Sequence, residues 1–456
     1  MASISARLER VKDGSISLID RGAVERACVE ARHEWRERCL DPVSTLGAFA
    51  AQIAHGNIAM AFLCRRMGGR FSESAYCQAR ARLPVSVVRA AADAFTRRAM
   101  LDDAMGDGLW RGHRAVLIDG TGICAPDTPA LREAFGVYSM YAPGCGLPTM
   151  SVLTVFDAQR DLLLGTHAAP AMTNDAAHAD QVRSLLCPGD VAVGDRGLCS
   201  YVGLALLKEA EIHGVFRMSA SRTMPFPAKT GERERRPYNR HRKQEPLLVR
   251  LIAENDQVVE IVKPHNRPRH VTAEVFATVP STMVVRALRY TVAQTGWRSR
   301  SITLMTDLLD AEKDPADALA ALYLSRWRIE VNLRHLKRTL CMNRLKCRSL
   351  DGVRREMLMY ALVYNAVCAV RTKAAAAQGV ALGRVSLIDA LRWMLIETDG
   401  VPVILRPPPD LKLWPLRPPR HHPRLLKHGG HTAFRVMPKP RRDLIKAPAA
   451  EENHAN

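Results

Sequence analysis

The sequence predicts an α/β protein with a mixed sheet whose strands are partly connected by helices. A β-rich insertion interrupts this sheet domain, and a helical N-terminal domain precedes it. Three observations support this. Residues 1–105 are rich in Ala, Arg and Leu and lack strand-like alternation. Apolar strand segments follow, three in succession and then alternating with helical segments. A basic, turn-rich stretch then separates these segments from a long helical region.

The N-terminal domain is predicted over residues 1–105, and its clustered positive charges favour DNA binding. Its clearest helix is FSESAYCQARARLP (71–84). Ser72 or Ser74 can cap the beginning of this helix, and Pro84 is expected to end it.

The strands and helices of the core are predicted in an order that matches the ribonuclease H-like fold, an analogy at the level of fold only. The segments 148–158 and 161–169 are separated by a short Gln159-Arg160 turn and are expected to form a hairpin. In chain order, the predicted elements are strands 113–123, 148–158 and 161–169, helix 175–186, strand 190–195, helix 200–210 and strand 213–219. The core is therefore assigned to residues 106–219 and 301–345.

Residues 220–300 interrupt this order and are predicted to be a β-rich insertion with a basic tip at 221–246. The strand ITLMTDLLD (302–310) returns the chain to the core. C-terminal helices are expected over 346–400, and residues 401–456 form a basic, Pro-rich tail.

The formal charge of +20 at pH 7 is the least ordinary bulk property of the chain. Such an excess predicts a polyanionic partner, most often nucleic acid, although a uniformly basic proteome would give the same surplus. The most apolar long run, MLMYALVYNAVCAV (357–370), is shorter than the about 20 residues that a bilayer-spanning helix needs. We therefore expect a cytoplasmic, nucleoid-associated protein with no membrane partner.

The stretch YLSRWRIEVNLRHLK (323–337) places one carboxylate among several cations. On a single helix with about 100° per residue, its polar side chains fall within an arc of about 80°. These polar side chains are Tyr323, Arg326, Glu330, Arg334 and Lys337. The apolar side chains of the adjoining face are Leu322, Ile329, Leu333, Leu336 and Leu340. A carboxylate at the edge of a buried face indicates a cleft.

Three carboxylates are candidates for one metal site. Asp119 follows the apolar residues VLI and is expected to end its strand, and Asp195 follows VAVG at the end of another. Sites in open α/β sheets form beyond strand ends, and Glu330 would add a carboxylate from the helix. Oxygen donors with open positions suit Mg²⁺, and two such ions can promote phosphodiester cleavage. Because three carboxylates cannot neutralise two divalent ions, we expect firm binding only with DNA present.

Each carboxylate also has a purely structural interpretation. Asp119 could be a turn aspartate before Gly120, and Asp195 could pair with Arg196 on the surface. Glu330 could only balance neighbouring arginines along its helix. Their coincidence with the polar stripe and the net charge favours the functional interpretation.

Three motifs resemble those of the insertion-sequence-four family of cut-and-paste transposases. The spacing of Tyr323, Arg326, Glu330 and Lys337 is similar to the Y-R-E-K signature of that family. The segment DGTGICAPDTPALREAFG (119–136) resembles its first-aspartate region, and GDRGLCSY (194–201) its second, with Leu198 where an aromatic residue is usual. The resemblance covers most of residues 40–375 and does not extend to the basic tail.

The resemblance implies a DDE triad of Asp119, Asp195 and Glu330 that binds two Mg²⁺ ions, or Mn²⁺ in their place. It also implies a homodimer that pairs both element ends, and cleavage through a DNA hairpin that is reopened before insertion into target DNA. By the same resemblance, Tyr323, Arg326 and Lys337 orient phosphates near the cut, and Trp297 in the insertion stacks on a flipped base.

Further DNA contacts are expected from the polar stripe and from the basic tip of the insertion. They are Arg334, Arg233, Arg235, Arg236, Arg240, Arg242 and Lys243. Two alternatives remain open at this point. The chain could be a ribonuclease H-like nuclease or resolvase that only hydrolyses DNA, or a catalytically idle DNA-binding repressor derived from an element.

Overall fold

The structure is a computed structural model. It describes residues 18–101, 108–138, 145–219, 224–231, 245–292, 300–395, 409–415, 425–427 and 434–436.

Helices account for the N-terminal part of the described chain, as predicted. They are α1 (Arg21–Glu30), α2 (Pro42–Ala54), α3 (Met60–Arg66), α4 (Glu73–Arg82) and α5 (Val85–Met100). The expected cap of α4 is confirmed, because the Ser72 hydroxyl accepts a hydrogen bond from the Ala75 N–H at 3.2 Å. The helix ends at Arg82, just before Pro84.

Nine strands form one continuous sheet. They are β1 (Ala115–Cys124), β2 (Thr149–Asp157), β3 (Leu163–Pro170), β4 (Val191–Gly194), β5 (His213–Arg217), β6 (Leu247–Ala253), β7 (Asp256–Val262), β8 (Thr282–Val292) and β9 (Arg300–Thr306). Their order across the sheet is β3-β2-β1-β4-β5-β9-β8-β7-β6.

The core half of this sheet confirms the predicted fold class, a ribonuclease H-like mixed sheet. β2 and β3 form the expected antiparallel hairpin, and β2 pairs with β1 in the same sense. β4 and β5 then continue from β1 as parallel strands. Three strands in succession therefore precede the crossover connections, in the order inferred from the sequence.

The insertion joins this sheet instead of standing apart from it. β6, β7 and β8 lie within residues 220–300, and β8 pairs with β9, which pairs with β5 of the core. Arg286 of β8 forms a buried ion pair with Asp256 of β7 and donates a hydrogen bond to the Asp314 carbonyl at 2.6 Å, so it links the insertion to the chain beyond β9.

The remaining helices cover the sheet. They are α6 (Pro129–Phe135), α7 (Ala179–Arg183), α8 (Tyr201–Glu209), α9 (Ala273–Thr278), α10 (Ala316–Ser325), α11 (Trp327–Arg334), α12 (Leu350–Ala377) and α13 (Leu387–Leu395). Short 3₁₀ turns at Asp175–His178 and Leu382–Arg384 precede α7 and α13.

Both faces of the core half of the sheet are buried, and β1 contributes side chains to both hydrophobic cores. Leu117 packs with α12 and the N-terminal helices on one side, here called the α12 face. Val116 and Ile118 pack with α7 and α8 on the other side, here called the α8 face. Since successive side chains of a strand alternate, Asp119 belongs to the α12 face with Leu117.

Part of the tail returns to the folded protein. Leu411 is buried in the core on the α12 face, and Leu413 bridges to Val385. Two further short strands, β10 (Leu425–Lys427) and β11 (Phe434–Val436), pair with each other in antiparallel fashion. Within the described ranges, no helix combines the length and the apolar character that crossing a bilayer requires.

Candidate active site

Asp119 and Asp195 lie where two neighbouring parallel strands diverge. The pairing between β1 and β4 ends at Ile118 opposite Gly194. Asp119 and Asp195 are the residues that follow these two in the sequence. The expectation that Asp119 ends its strand is wrong, because β1 continues to Cys124 with β2 as its partner. What ends before Asp119 is the parallel ladder, and this leaves an opening beside the strand.

The carboxylate of Asp119 is held from two directions. Its Oδ1 accepts a hydrogen bond from the Gly120 N–H at 3.0 Å, and its Oδ2 accepts one from Arg326 Nη1 at 3.3 Å. Burial raises the pKa of Asp119 to about 6, and the charges of Asp195 and Asp175 act in the same direction against Arg326. A buried acid among other acids in a cleft is typical of a functional site.

Asp195 is oriented by the turn that follows β4. Its Oδ1 accepts a hydrogen bond from the Gly197 N–H at 2.7 Å. Leu198, which stands where relatives often carry an aromatic residue, is buried on the α8 face. The turn therefore anchors its apolar residue and leaves the carboxylate partly exposed.

The segment that carries the polar stripe is not one uniform helix, contrary to the prediction. Arg326 keeps helical dihedrals (φ −52°, ψ −30°) at the junction of α10 and α11, and His335–Thr339 form a π-helical turn. The wider π turn changes side-chain positions relative to a regular 100° wheel. The apolar side is nevertheless buried as expected, at Leu322, Ile329, Leu333, Leu336 and Leu340.

Arg326 connects the strand carboxylate with the helix carboxylate. Its Nη1 is 3.3 Å from Asp119 Oδ2, and its Nη2 is 3.7 Å from Glu330 Oε1. The Arg326 side chain is 12% exposed and that of Glu330 is 45% exposed. The Arg326 Nε is buried and has no hydrogen-bond partner among the described residues. The guanidinium therefore lies between two acids with a donor still to be satisfied.

The other stripe residues have different surroundings. Lys337 Nζ donates to Thr121 Oγ1 at 3.0 Å, two residues beyond Asp119 on the same face of β1. Tyr323 is only 3% exposed, its ring lies against the Arg326 guanidinium, and burial raises its pKa. Arg334 is exposed at the end of α11. Of the predicted phosphate contacts, Lys337 and Arg326 thus lie closest to Asp119.

The sequence-based assignment missed a further acid, Asp175. It begins the 3₁₀ turn after β3, which Asn174 caps by accepting a hydrogen bond from the Ala177 N–H at 2.9 Å. Burial raises the pKa of Asp175, with Asp195 as the second cause. No strand-end or helix-stripe pattern indicates this residue, because a capped turn brings it to the site.

The residues of the insertion that were predicted to bind DNA lie outside the described residues. They are Trp297, Arg233, Arg235, Arg236, Arg240, Arg242 and Lys243. Another tryptophan, Trp327, is described: its side chain is 53% exposed at the start of α11, beside Arg326.

The oxygen donors around Arg326 suit a hard divalent cation in their chemistry. As the side chains stand, however, no three His, Cys, Asp or Glu residues of the described chain are placed to hold one ion. Arg326 lies between two of the candidate ligands and supplies positive charge there. Arg326 therefore occupies the space between Asp119 and Glu330, and its buried Nε has no hydrogen-bond partner among the described residues.

Comparisons with known proteins agree with the motifs. The family model "Transposase DDE domain" matches residues 110–366, more than half of the chain. The transposase InsG for insertion sequence element IS4 of Escherichia coli (strain K12) is 25% identical over 298 residues. That match covers 64% of this chain and 60% of the relative's length. A cryo-EM structure of the piggyBac transposase synaptic complex with hairpin DNA is 11% identical with a TM-score of 0.39, covering 83% of this chain and 76% of that chain.

Proposed function

The chain belongs to the transposase DDE-domain family, and we propose that it cleaves DNA at element ends and joins those ends to target DNA. We assign the catalytic triad to Asp119, Asp195 and Glu330. The observation that carries this assignment is the contact of Arg326 with both Asp119 and Glu330, beside the point where Asp119 and Asp195 leave neighbouring strands.

DDE transposase domains depend on divalent metal ions. We propose Mg²⁺ as the ion, two per site, with Mn²⁺ able to replace it, and the three triad carboxylates as its ligands. Bound there, the ions would activate the attacking water or hydroxyl and stabilise the leaving oxygen. Burial of Ile329 and Leu333 on the neighbouring face fixes the helix that carries Glu330.

Arg326 is proposed to exchange partners when DNA and metal bind. In the absence of either, its positive charge offsets the repulsion between the acids. With a cation present, the guanidinium is repelled, and a phosphate can accept its fork of donors. Lys337 would add a point charge on the same face, and Tyr323 would restrict Arg326 to a few orientations by packing against it.

The partner is proposed to be double-stranded DNA, both the terminal inverted repeats of the element and the target, bound at the nucleoid in the cytoplasm. The N-terminal helices of residues 1–105 and the basic tip of the insertion would contact mainly phosphates, together with Arg334. Affinity should then fall steeply with salt, with a log–log slope of about −0.9 per phosphate contact. A flat salt response would contradict this part of the proposal.

The pathway is proposed to be cut-and-paste through a hairpin, carried out by a homodimer that pairs two element ends. The freed 3′ hydroxyl would attack the opposite strand, and Trp297 would hold the base that unstacks there. This step distinguishes a transposase of this kind from an enzyme that only hydrolyses DNA.

The direct test is a cleavage assay with the full chain, Mg²⁺ and linear DNA that carries the inverted repeats flanking the gene. Nicks at the repeat boundary, hairpin ends and joined products are expected from the natural protein. The variants Asp195→Asn and Glu330→Gln should bind the same DNA and give none of these products. Asp127→Asn, an exposed acid paired with Arg132, is the matched control and should cleave normally.

Other outcomes select the alternatives. Cleavage without joined products or hairpins would favour a ribonuclease H-like nuclease or resolvase. Specific binding to the repeats without cleavage in Mg²⁺ or Mn²⁺ would favour a repressor derived from an element.

A further inference from the structure

Asp175 reaches the site from the α8 face of the sheet, opposite to Glu330. The neighbouring α7 residues pack in the core of that face, whereas α11 packs on the α12 face. The opening that begins after Ile118, where β4 no longer pairs with β1, lies between the two sides. A group on the α8 face can therefore approach Asp195 without crossing a closed ladder.

Gly120 leaves room for the Asp175 carboxylate, and Gly197 lies beside it. A Cβ on Gly120 would lie 2.2 Å from Asp175 Oδ1 and 2.7 Å from its Cγ, far inside contact distance. A Cβ on Gly197 would lie 3.0 Å from Asp195 Oδ1 and 3.9 Å from Asp175 Oδ2. An alanine at position 120 would therefore have to displace the Asp175 carboxylate.

The separation of Asp175 and Asp195 allows contact through a metal-bound water. Both oxygens lie near the same point beside Gly197, so they are at most about 7 Å apart, the sum of the two distances. A Mg²⁺ ion lies about 2.1 Å from each ligand and keeps several waters, each of which can donate a hydrogen bond about 2.8 Å long. A line of a carboxylate oxygen, the cation, its bound water and a second carboxylate oxygen is therefore about 7 Å long, which matches the upper limit on the distance between the Asp175 and Asp195 oxygens.

We propose that Asp175 is a fourth acidic member of the metal site, a positioning residue that accepts a hydrogen bond from a water on the cation held by Asp119 and Asp195. The inference rests on the proposed function. A fourth carboxylate also changes the expected order of binding. Four carboxylates match the charge of two divalent ions, so the free protein binds the metal before DNA arrives. With three carboxylates, firm binding would need the phosphates of DNA.

The test is calorimetric titration of the full chain with Mn²⁺ in the absence of DNA. Wild type is expected to bind, and Asp175→Asn is expected to bind about 10- to 100-fold more weakly, the usual effect of losing an outer-shell partner. Gly120→Ala keeps the acid but displaces it and should weaken binding in the same direction. Asp127→Asn removes an acid of equal charge elsewhere and should leave the affinity unchanged.

Two further measurements separate this role from a structural one. The melting temperature of metal-free Asp175→Asn should equal or exceed that of wild type, since an acid is removed from an acidic cluster. DNA cleavage by this variant should need more Mn²⁺ for half-maximal rate and should recover at saturating metal.

Failure of this inference is distinguishable from failure of the proposed function. Equal Mn²⁺ affinity of wild type and Asp175→Asn, or no binding by the free wild type, overturns the role of Asp175 and leaves the cleavage assay to judge the triad. Loss of binding in Asp175→Asn together with a lowered melting temperature also overturns it, because the acid would then be structural.

Discussion

Replacing Asp119 by Asn is expected to stabilise the metal-free protein while abolishing cleavage. Burial raises the pKa of Asp119 from 3.8 to about 6, so the folded protein holds this proton more tightly than the unfolded chain. This rise in pKa means that the ionised carboxylate lowers the free energy of unfolding by about 3 kcal/mol. Because Asn still accepts a hydrogen bond from Arg326 but loses its ionic attraction, we expect a gain of about 1–3 kcal/mol.

The gain should depend on pH in a defined way. Above about pH 6 the carboxylate is ionised in both states, so the full destabilisation by Asp119 is present. Below about pH 4 both states carry the proton, and the difference between Asp119→Asn and wild type should disappear. Urea denaturation in EDTA at pH 7.5 and at pH 4 measures both limits.

Asp127→Asn serves as the control of opposite sign. The hydrogen bond from Arg132 lowers the pKa of the exposed Asp127, so its substitution should bring no stabilisation at pH 7.5. The reasoning fails if Asp119→Asn is no more stable than wild type at pH 7.5, or if its gain persists unchanged at pH 4.

Three further predictions concern the helix segment and the insertion. Ile329→Ala should lower the free energy of unfolding by about 2–5 kcal/mol because Ile329 is fully buried. Leu324 is 40% exposed, so Leu324→Ala should change that free energy by less than about 0.5 kcal/mol. Urea denaturation measures both variants, and equal effects would contradict the packing described. Lys337→Ala should leave unfolding nearly unchanged but weaken DNA binding and slow nicking, as gel-shift and cleavage assays would show; a normal nicking rate would exclude a phosphate contact. Trp297→Ala should fold and nick normally but form no hairpins, whereas a melting temperature lowered in line with a loss of about 3–5 kcal/mol would identify a core tryptophan instead.

The sequence predicted the strand order of the core because each element has a local signal. Hydrophobic alternation and the short turn identified the β2–β3 hairpin, and Ser72 and Pro84 marked the two ends of α4. Joining of the insertion to the sheet had no such signal. The insertion strands reach the core sheet through β9, whose pairing with β5 depends on contacts between residues about 90 positions apart, such as Val215 and Thr306, and a pattern in one segment cannot specify its partner.

The residues of the candidate site were predictable only where a local sequence pattern indicated them. The helical period placed Arg326 and Glu330 on one side, and the structure brings Arg326 to Asp119 as well. The period could not predict the π turn at His335–Thr339, whose hydrogen bonding depends on its packing environment. It also could not find Asp175, since an acid in a capped turn resembles any surface turn until its neighbours are known.

The central strand β1 contains the sequence Asp-Gly-Thr-Gly at 119–122, although Asp and Gly usually weaken strands. The contacts of these residues explain their presence. Asp119 and Thr121 point to the α12 face, where they meet Arg326 and Lys337. Gly120 faces the other way and leaves the space that Asp175 fills. A glycine inside a strand costs about 0.5–1 kcal/mol relative to alanine, and an ionised acid at 119 adds a further penalty. Neither serves packing, so both costs follow from bringing acids from both faces of one sheet to the same opening.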